Sequence, residues 1–140
     1  MKKLLLFMIS VILICNSSFA AIPPAAVIKA FEQKFPHAAK VTWGKENATE
    51  WEAEFTLNGS KISANFLING TWVETEKIIS ASQLPEGVVN AIKTKYAGWT
   101  ITEADQTESA KHGTIYEADI RKGKDKKALA FKEDGTPVNE

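Results

Sequence analysis

The sequence is poor in the residues that support thiol or disulfide chemistry. Its one cysteine, Cys15, lies in an N-terminal stretch that we expect to be removed from the mature protein. A chain without a thiol cannot be a cysteine enzyme or bind a metal through thiolates, and no disulfide can brace it. Burial of apolar side chains must therefore stabilise the fold, and 140 residues are enough to form such a core.

No motif in the chain specifies an active site. The G-x-S-x-G turn that presents a nucleophilic serine is missing, and so is a glycine-rich loop that would hold phosphate. The two histidines, His37 and His112, have no carboxylate or second histidine at metal-ligand spacing. We predict that the protein is not an enzyme, and the residues indicate no cofactor and no metal site.

The charge balance gives no excess of either sign. Lys and Arg total 17, and Asp and Glu also total 17. Proteins that bind nucleic acid usually carry a basic excess on one face. We therefore predict no nucleic acid partner.

The first 20 residues are typical of a secretory signal peptide. Lys2 and Lys3 precede an apolar run over 4–15, and Ser18 and Ala20 are small residues at the positions that precede a cleavage site. The run is shorter than the roughly 17 to 25 residues of a membrane-spanning helix. We predict a signal peptide over 1–20, a mature domain over 21–140 with no membrane span, and a periplasmic or secreted location.

The stretch 50–76 carries the clearest structural signal in the chain. Apolar and polar residues alternate over 50–57 and again over 61–68, which is the pattern of strands with one buried face. Asn58-Gly59 and Asn69-Gly70 follow these two runs, and Asn-Gly pairs favour the tight turns of β-hairpins. This stretch therefore predicts an antiparallel meander with one face open to solvent.

The second half of the chain reads as a diverged copy of the first. A helical stripe of Val27, Ile28, Phe31 and Phe35 recurs 61 residues later as Val88, Val89, Ile92 and Tyr96. Beyond the helix, apolar strand positions and the turn Asn69-Gly70-Thr71 recur at an offset of 65, which leaves room for an enlarged loop over 106–113. We predict an α+β fold of two tandem helix-plus-four-strand repeats, about 22–80 and about 84–140, which form one antiparallel sheet with both helices packed on one face.

Several of these segments together resemble a known family. They are Phe35-Pro36 with Ala39 and Trp43, the strand Trp51 to Phe55, the turn Asn69-Gly70-x-Trp72 with Glu74 and Glu76, and Leu84-Pro85 before the second helix. In order and kind, over 25–135, they resemble the PepSY-like family of exported bacterial proteins, which is described as β-lactamase-inhibitor-like. The resemblance implies a fold similar to that of a β-lactamase inhibitor and a restraining role like that suspected of PepSY domains toward secreted peptidases. It supplies no functional residues.

The open face of the meander is the place where we expect a partner to bind. If the pleat is regular, Trp72 lies on the polar side of the sheet with Glu74, and an aromatic side chain among charges is typical of a protein-binding surface. The predicted binding residues are Glu52, Glu54, Lys61, Ser63, Asn65, Trp72 and Glu74. Two plainer interpretations stay open: Trp72 caps the end of the core, or the carboxylates form a solvated face neutralised by Lys61 and Lys77.

Two functions from different classes fit this sequence. The first is an exported binding module, for instance an inhibitor of a protein or peptidase, whose partner is an envelope or secreted protein or peptide. The alternative is a periplasmic protein that binds a small ligand or a metal ion in a cleft between the sheet and the loop over 106–113. The oligomeric state is not predicted.

Overall fold

The computed structural model describes residues 22–138, so the predicted signal peptide lies outside the described residues. The first unit contains α1 (Ala25–Lys34), β1 (Ala39–Lys45), β2 (Glu50–Leu57), β3 (Ser60–Leu67) and β4 (Trp72–Ile79). A short 3₁₀ turn, Ala81–Gln83, leads into the second unit, which contains α2 (Glu86–Lys95), β5 (Thr100–Ser109), β6 (Gly113–Lys122) and β7 (Asp125–Phe131). No helix within this described part is long and apolar enough to cross a membrane.

The seven strands form one antiparallel sheet in sequence order, β1 to β7. Strands β4 and β5 pair from Glu74 with Ser109 to Ile79 with Ala104, so this ladder joins the two units. The predicted fold class is confirmed: one antiparallel sheet carries two helices. The second unit differs from the prediction in having three strands, because beyond β7 the described chain makes one isolated bridge, between Phe131 and Pro137.

Both helices pack on the same face of the sheet, which we call the helix face. Val27 and Phe31 of α1 lie over Ala53 and neighbouring apolar residues of β2 and β3. Val88 and Ile92 of α2 occupy the equivalent positions over β5, β6 and β7. The core is therefore divided into two equivalent clusters, one under each helix.

Polar residues separate the two clusters on the helix face. Thr75 pairs with Glu108, and Lys77 pairs with Gln106, across the β4–β5 ladder. Thr75 opposes Ala64 of the first core, and Gln106 lies two positions along β5 from Ala104 of the second core, which places this polar stripe on the same face. The stripe lies between the helices, where neither core extends.

The duplication extends to hydrogen bonds in the turns. The Asn69 side-chain oxygen accepts a hydrogen bond from the Thr71 backbone N–H at 3.0 Å. In the second unit the Asp134 carboxylate accepts from the Thr136 N–H at 2.8 Å. Because these are the same Asx-type bonds at an offset of 65 residues, they support the predicted repeat at atomic detail.

Each of these turns rests against the start of its own unit's helix. A Cβ atom added to Gly70 would lie 2.6 Å from the Ala26 carbonyl oxygen, and one added to Gly135 would meet the Gly87 carbonyl. Both glycines also have positive φ, 88° and 83° respectively. Glycine is therefore required here for the backbone conformation and for the close approach of turn and helix.

The predicted loop over 106–113 is wrong. Those residues continue β5 to Ser109, turn sharply, and begin β6 at Gly113. The extra residues lengthen a hairpin, in which Ser109 pairs directly with Gly113. The cleft that we expected between the sheet and this loop is therefore not formed, because these residues belong to the sheet itself.

Candidate binding face

The face of the sheet opposite the helices carries most of the predicted binding residues. Cross-strand register aligns Glu52 with Asn65 and Glu74 in one row, and Glu54 with Ser63 in the next. Lys61 opposes Thr56 on the same side. We call this side of the sheet the open face, and it brings together Glu52, Glu54, Lys61, Ser63, Asn65 and Glu74.

Trp72 is the exception, and the expected placement on the polar side is wrong. The pairing of β3 with β4 shifts between Asn65 and Phe66, so that Trp72 opposes Phe66, a core residue of the helix face. The Trp72 indole N–H donates to the Thr75 hydroxyl at 3.0 Å, and the Lys34 ammonium lies 3.8 Å from the ring centroid. A β-bulge reverses the parity of the residues beyond it, and Trp72 therefore packs at the end of the first core.

Lys77 also lies on the helix face, since it opposes Ile62 and Gln106. It cannot neutralise the open-face carboxylates in the way that we expected. Carboxylates in fact outnumber basic side chains on the open face by register: Glu50, Glu52, Glu54, Glu74, Glu76, Glu103, Asp105, Glu117 and Asp119 against Lys61, Arg121 and Lys126. The open face is therefore acidic, although acidic and basic residues are equal in number over the whole chain.

The second unit contributes residues to this face that the sequence analysis missed. Thr107 of β5 opposes Glu76 of β4, and Asp105 lies two positions away on the same side. Ile115 of β6 then opposes Thr107. The alternation of Glu103, Asp105 and Thr107 is the signal that could have identified them, but the prediction of a loop from Gln106 onward interrupts this pattern.

The centre of the open face is sunken. Thr107 is 2% exposed and Ile115 is 4% exposed, although neither belongs to the two helix-face cores. Glu76, Asp105 and Glu117 around them are half-buried. The open face therefore has a floor, formed by Thr107 and Ile115 and bordered by carboxylates.

The hydroxyl of Thr107 is buried without a hydrogen-bond partner among the described residues. A buried polar group that lacks a partner costs about 1 to 3 kcal/mol of desolvation. Few buried polar groups in folded proteins lack a partner, so the position of this hydroxyl at the centre of a charged face calls for an explanation.

Replacement of Thr107 by valine tests whether the buried hydroxyl lacks a hydrogen-bond partner in the folded protein. Valine keeps the shape of the side chain and removes the unpaired hydroxyl, so we expect Thr107→Val to increase the free energy of unfolding by about 1 kcal/mol. Urea denaturation of the two proteins measures the difference. A loss of stability would show that the hydroxyl makes a stabilising hydrogen bond in the folded protein.

Burial and mutual repulsion raise the pKa values of the central carboxyl groups. Desolvation and then the charges of Asp105, Glu117, Glu74 and Glu52 raise the pKa of Glu76 to about 7. Desolvation, followed by the charges of Asp119 and Glu103, raises the pKa of Asp105 to about 6. These groups are crowded with like charges, which a cationic ligand would relieve.

The pKa values of two predicted binding residues shift in the same direction. Burial raises the pKa of Glu52, with Glu54 and Glu46 adding to the shift and the Ser63 hydroxyl opposing it. Burial also raises the pKa of Glu74, helped by the charges of Glu50 and Glu46. The excess of negative charge therefore extends from β2 to β6.

An exposed large apolar side chain also lies on this face. Ile78 opposes Asp105 and is 64% exposed. It lies two positions along β4 from Glu76, beside the sunken centre. The open face thus combines an acidic floor with an exposed aliphatic contact.

Two other features of the structure bear on ligand binding. Within 22–138, no group of three or more His, Cys, Asp or Glu side chains is placed to hold a metal ion. A groove of about 500 Å³ lies between α1 and β1, far in sequence from the expected cleft, and its lining includes Ile28, Phe31, Phe35 and Trp43. Most residues that line this groove are hydrophobic, and the groove does not include the open face.

A comparison with known protein families shows the family to which this chain belongs. A family model described as "Putative beta-lactamase-inhibitor-like, PepSY-like" matches residues 49–137. The chain belongs to the PepSY-like family. The match begins just before β2 and continues through β7, so it contains every open-face residue named above.

Solved structures share the fold of this PepSY-like protein. A DUF2874 family protein from Bacteroides ovatus is 25% identical, covers 85% of this chain and 86% of its own, and superposes with a TM-score of 0.77. A BLIP-like protein from Bacteroides fragilis is 24% identical, with coverages of 85% and 86% and a TM-score of 0.75. A protein from Bacteroides eggerthii, described as periplasmic, is 19% identical, with coverages of 85% and 88% and a TM-score of 0.76. No curated protein matches the chain.

Proposed function

We propose that this PepSY-like protein is an exported, non-catalytic binding module that holds a protein or peptide partner on the open face of its sheet. The observation that carries the proposal is the sunken acidic centre of that face, where Thr107 is buried without a partner and the pKa values of Glu76 and Asp105 are raised. A surface with no role would be expected to carry solvated charges close to their ordinary pKa values.

The likeness to inhibitor-like proteins supports the same class of function. The family description refers to β-lactamase inhibitors, and one neighbour of the same fold is described as BLIP-like. Inhibition of an enzyme is the specific form of binding that this likeness favours. Export is favoured by the predicted signal peptide and by a neighbour described as periplasmic.

Photo-crosslinking in living cells tests the proposed face. A photoreactive phenylalanine analogue replaces Asn65, which lies in the row between Glu52 and Glu74, and a matched protein carries it at Gln33, an exposed position of α1. We expect a discrete crosslinked adduct from position 65 and none from position 33. Adducts from both positions alike, or from position 33 alone, would contradict the proposal.

A second candidate function rests on the groove between α1 and β1. Its volume of about 500 Å³ and its aromatic lining residues suit a small molecule that carries an apolar group. Binding there should change the fluorescence of Trp43, which lies 5.1 Å from Phe31 between ring centroids. A change that persists in Trp43→Phe would assign the signal to another tryptophan and remove the support for this groove.

A further inference from the structure

The sunken centre of the open face has the composition of a receptor for a positively charged group. Glu76 faces Thr107 directly across the β4–β5 ladder, and Asp105 lies on the same side of β5. Directly opposed residues in an antiparallel pair have Cβ atoms about 5 Å apart. The Thr107 hydroxyl, next to both of these residues in the register, is buried and has no hydrogen-bond partner among the described residues.

The hydrogen-bonding capacity of these groups restricts what can occupy the site. Ionised carboxylates accept hydrogen bonds and donate none, while the threonine hydroxyl can accept or donate one. The missing component is a cation with several N–H donors, which is the chemistry of lysine and arginine side chains. A bare metal ion fits less well, since the described residues include no cluster placed to hold one.

The shape of the surrounding face favours an extended chain. Acidic side chains recur at every second residue along β4 and β5, with Glu74 and Glu76 on one strand and Glu103 and Asp105 on the next. Side chains of an extended segment have the same period of two residues, about 7 Å. Exposed Ile78 beside the site offers an apolar contact for the stem of a long basic side chain.

Resting on the proposed function, we infer that the open face binds an extended cationic segment of a partner protein, with one lysine or arginine side chain entering between Glu76, Asp105 and Thr107. The remaining basic residues of the segment lie over the neighbouring acidic rows. Charge complementarity selects this occupant over an acidic or neutral segment, and the N–H donors of the basic group would also satisfy the Thr107 hydroxyl.

A synthetic peptide tests the inference without knowledge of the natural partner. The probe is an acetylated and amidated peptide of about nine residues, a typical strand length, in which lysine and threonine alternate. Its control is the same peptide with every lysine acetylated, which removes the charge and keeps the length. Titration calorimetry near pH 8 in about 20 mM salt should show binding of the lysine peptide alone, because surface charges are weakly screened under these conditions.

Variants of the protein locate the binding site. Glu76→Gln and Thr107→Val should each weaken binding of the lysine peptide by about ten-fold, a loss typical of one hydrogen bond to a charged group. Glu108→Gln is the matched control: it removes the same charge one residue from Thr107, on the helix face. We expect Glu108→Gln to change the affinity by less than about two-fold.

Three results would overturn the inference. They are no binding of the lysine peptide at millimolar concentration, equal binding of the acetylated peptide, and an equal loss of affinity in Glu76→Gln and Glu108→Gln. If any of these occurs while position 65 still forms its crosslinked adduct, the binding face stands and the cationic partner is wrong. If the adduct is also missing, both proposals fail.

Discussion

Raising the pH from 5 to 8 is expected to lower the free energy of unfolding by about 2 kcal/mol. Glu76 and Asp105 have folded-state pKa values of about 7 and about 6, both above their ordinary values. A carboxyl group whose pKa is raised by folding binds more protons in the folded than in the unfolded state. Stability therefore falls as the pH rises from the ordinary pKa toward the folded one.

The size of this effect follows from the two shifts. Above pH 5, Glu76 contributes about two pKa units and Asp105 about one, and each unit corresponds to about 1.4 kcal/mol. We halve the sum because both groups are partly exposed and solvent screens their repulsion. The titratable groups around Glu76 are Glu74 on its own strand and, on the surrounding strands, Glu52, Glu54, Lys61, Asp105 and Glu117.

Urea denaturation at a series of pH values measures this dependence. In Glu76→Gln the slope between pH 5 and 8 should fall by half or more, and the variant should be more stable than the natural protein at pH 8 by about 1 kcal/mol. Glu108→Gln, with its charge removed from the helix face, should keep the original slope. A stability that rises over this pH range would show that the open-face carboxylates are stabilised as anions.

Replacement of Phe66 by alanine should cost about 3 to 5 kcal/mol of stability. Phe66 is completely buried, opposes Trp51 in the sheet, and its ring centroid lies 6.2 Å from that of Phe31 in an edge-to-face arrangement. Its removal leaves a cavity where β3 meets α1, and the surrounding strands are held by their hydrogen bonds and cannot close it.

Ile68→Ala provides a control close by in the chain. Ile68 is 51% exposed beyond the end of β3, so the loss of its side chain should change the free energy of unfolding by about 0.5 kcal/mol or less. Denaturant titrations of both variants give the comparison. Costs of similar size for the two substitutions would mean that Phe66 does not hold the first core together.

The architecture was predictable because local signals agreed with one another. Asn58-Gly59 and Asn69-Gly70 form the expected turns between strands, and the equivalent stripes at Val27 and Val88 bury the expected helix positions. Because the sequence repeats, the helix and strands of its first half predict those of its second half. Apolar residues that recur every second residue indicate a strand, and those that recur about every 3.6 residues indicate a helix. Both patterns depend only on which face of the element is buried, so they can be read from the sequence alone.

The errors concern features that depend on neighbouring strands. The bulge in the β3–β4 pairing has no marker in the sequence around Trp72, yet it moves that residue to the other face. The strand β5 is polar on both faces beyond Ala104, because Gln106 and Glu108 lie between the two helices where no core covers them. The deep burial of Thr107 arises only when β4, β5 and β6 are assembled.

A methyl NMR titration of the full domain with the alternating lysine and threonine peptide shows directly whether the open face binds a cationic segment. Isoleucine methyl groups report on each surface: Ile78 and Ile115 on the open face, Ile28 in the groove beside α1, and Ile92 in the second core. We expect the signals of Ile78 and Ile115 to move while those of Ile28 and Ile92 stay in place. Movement of the Ile28 signal with those of Ile78 and Ile115 unchanged would contradict this expectation.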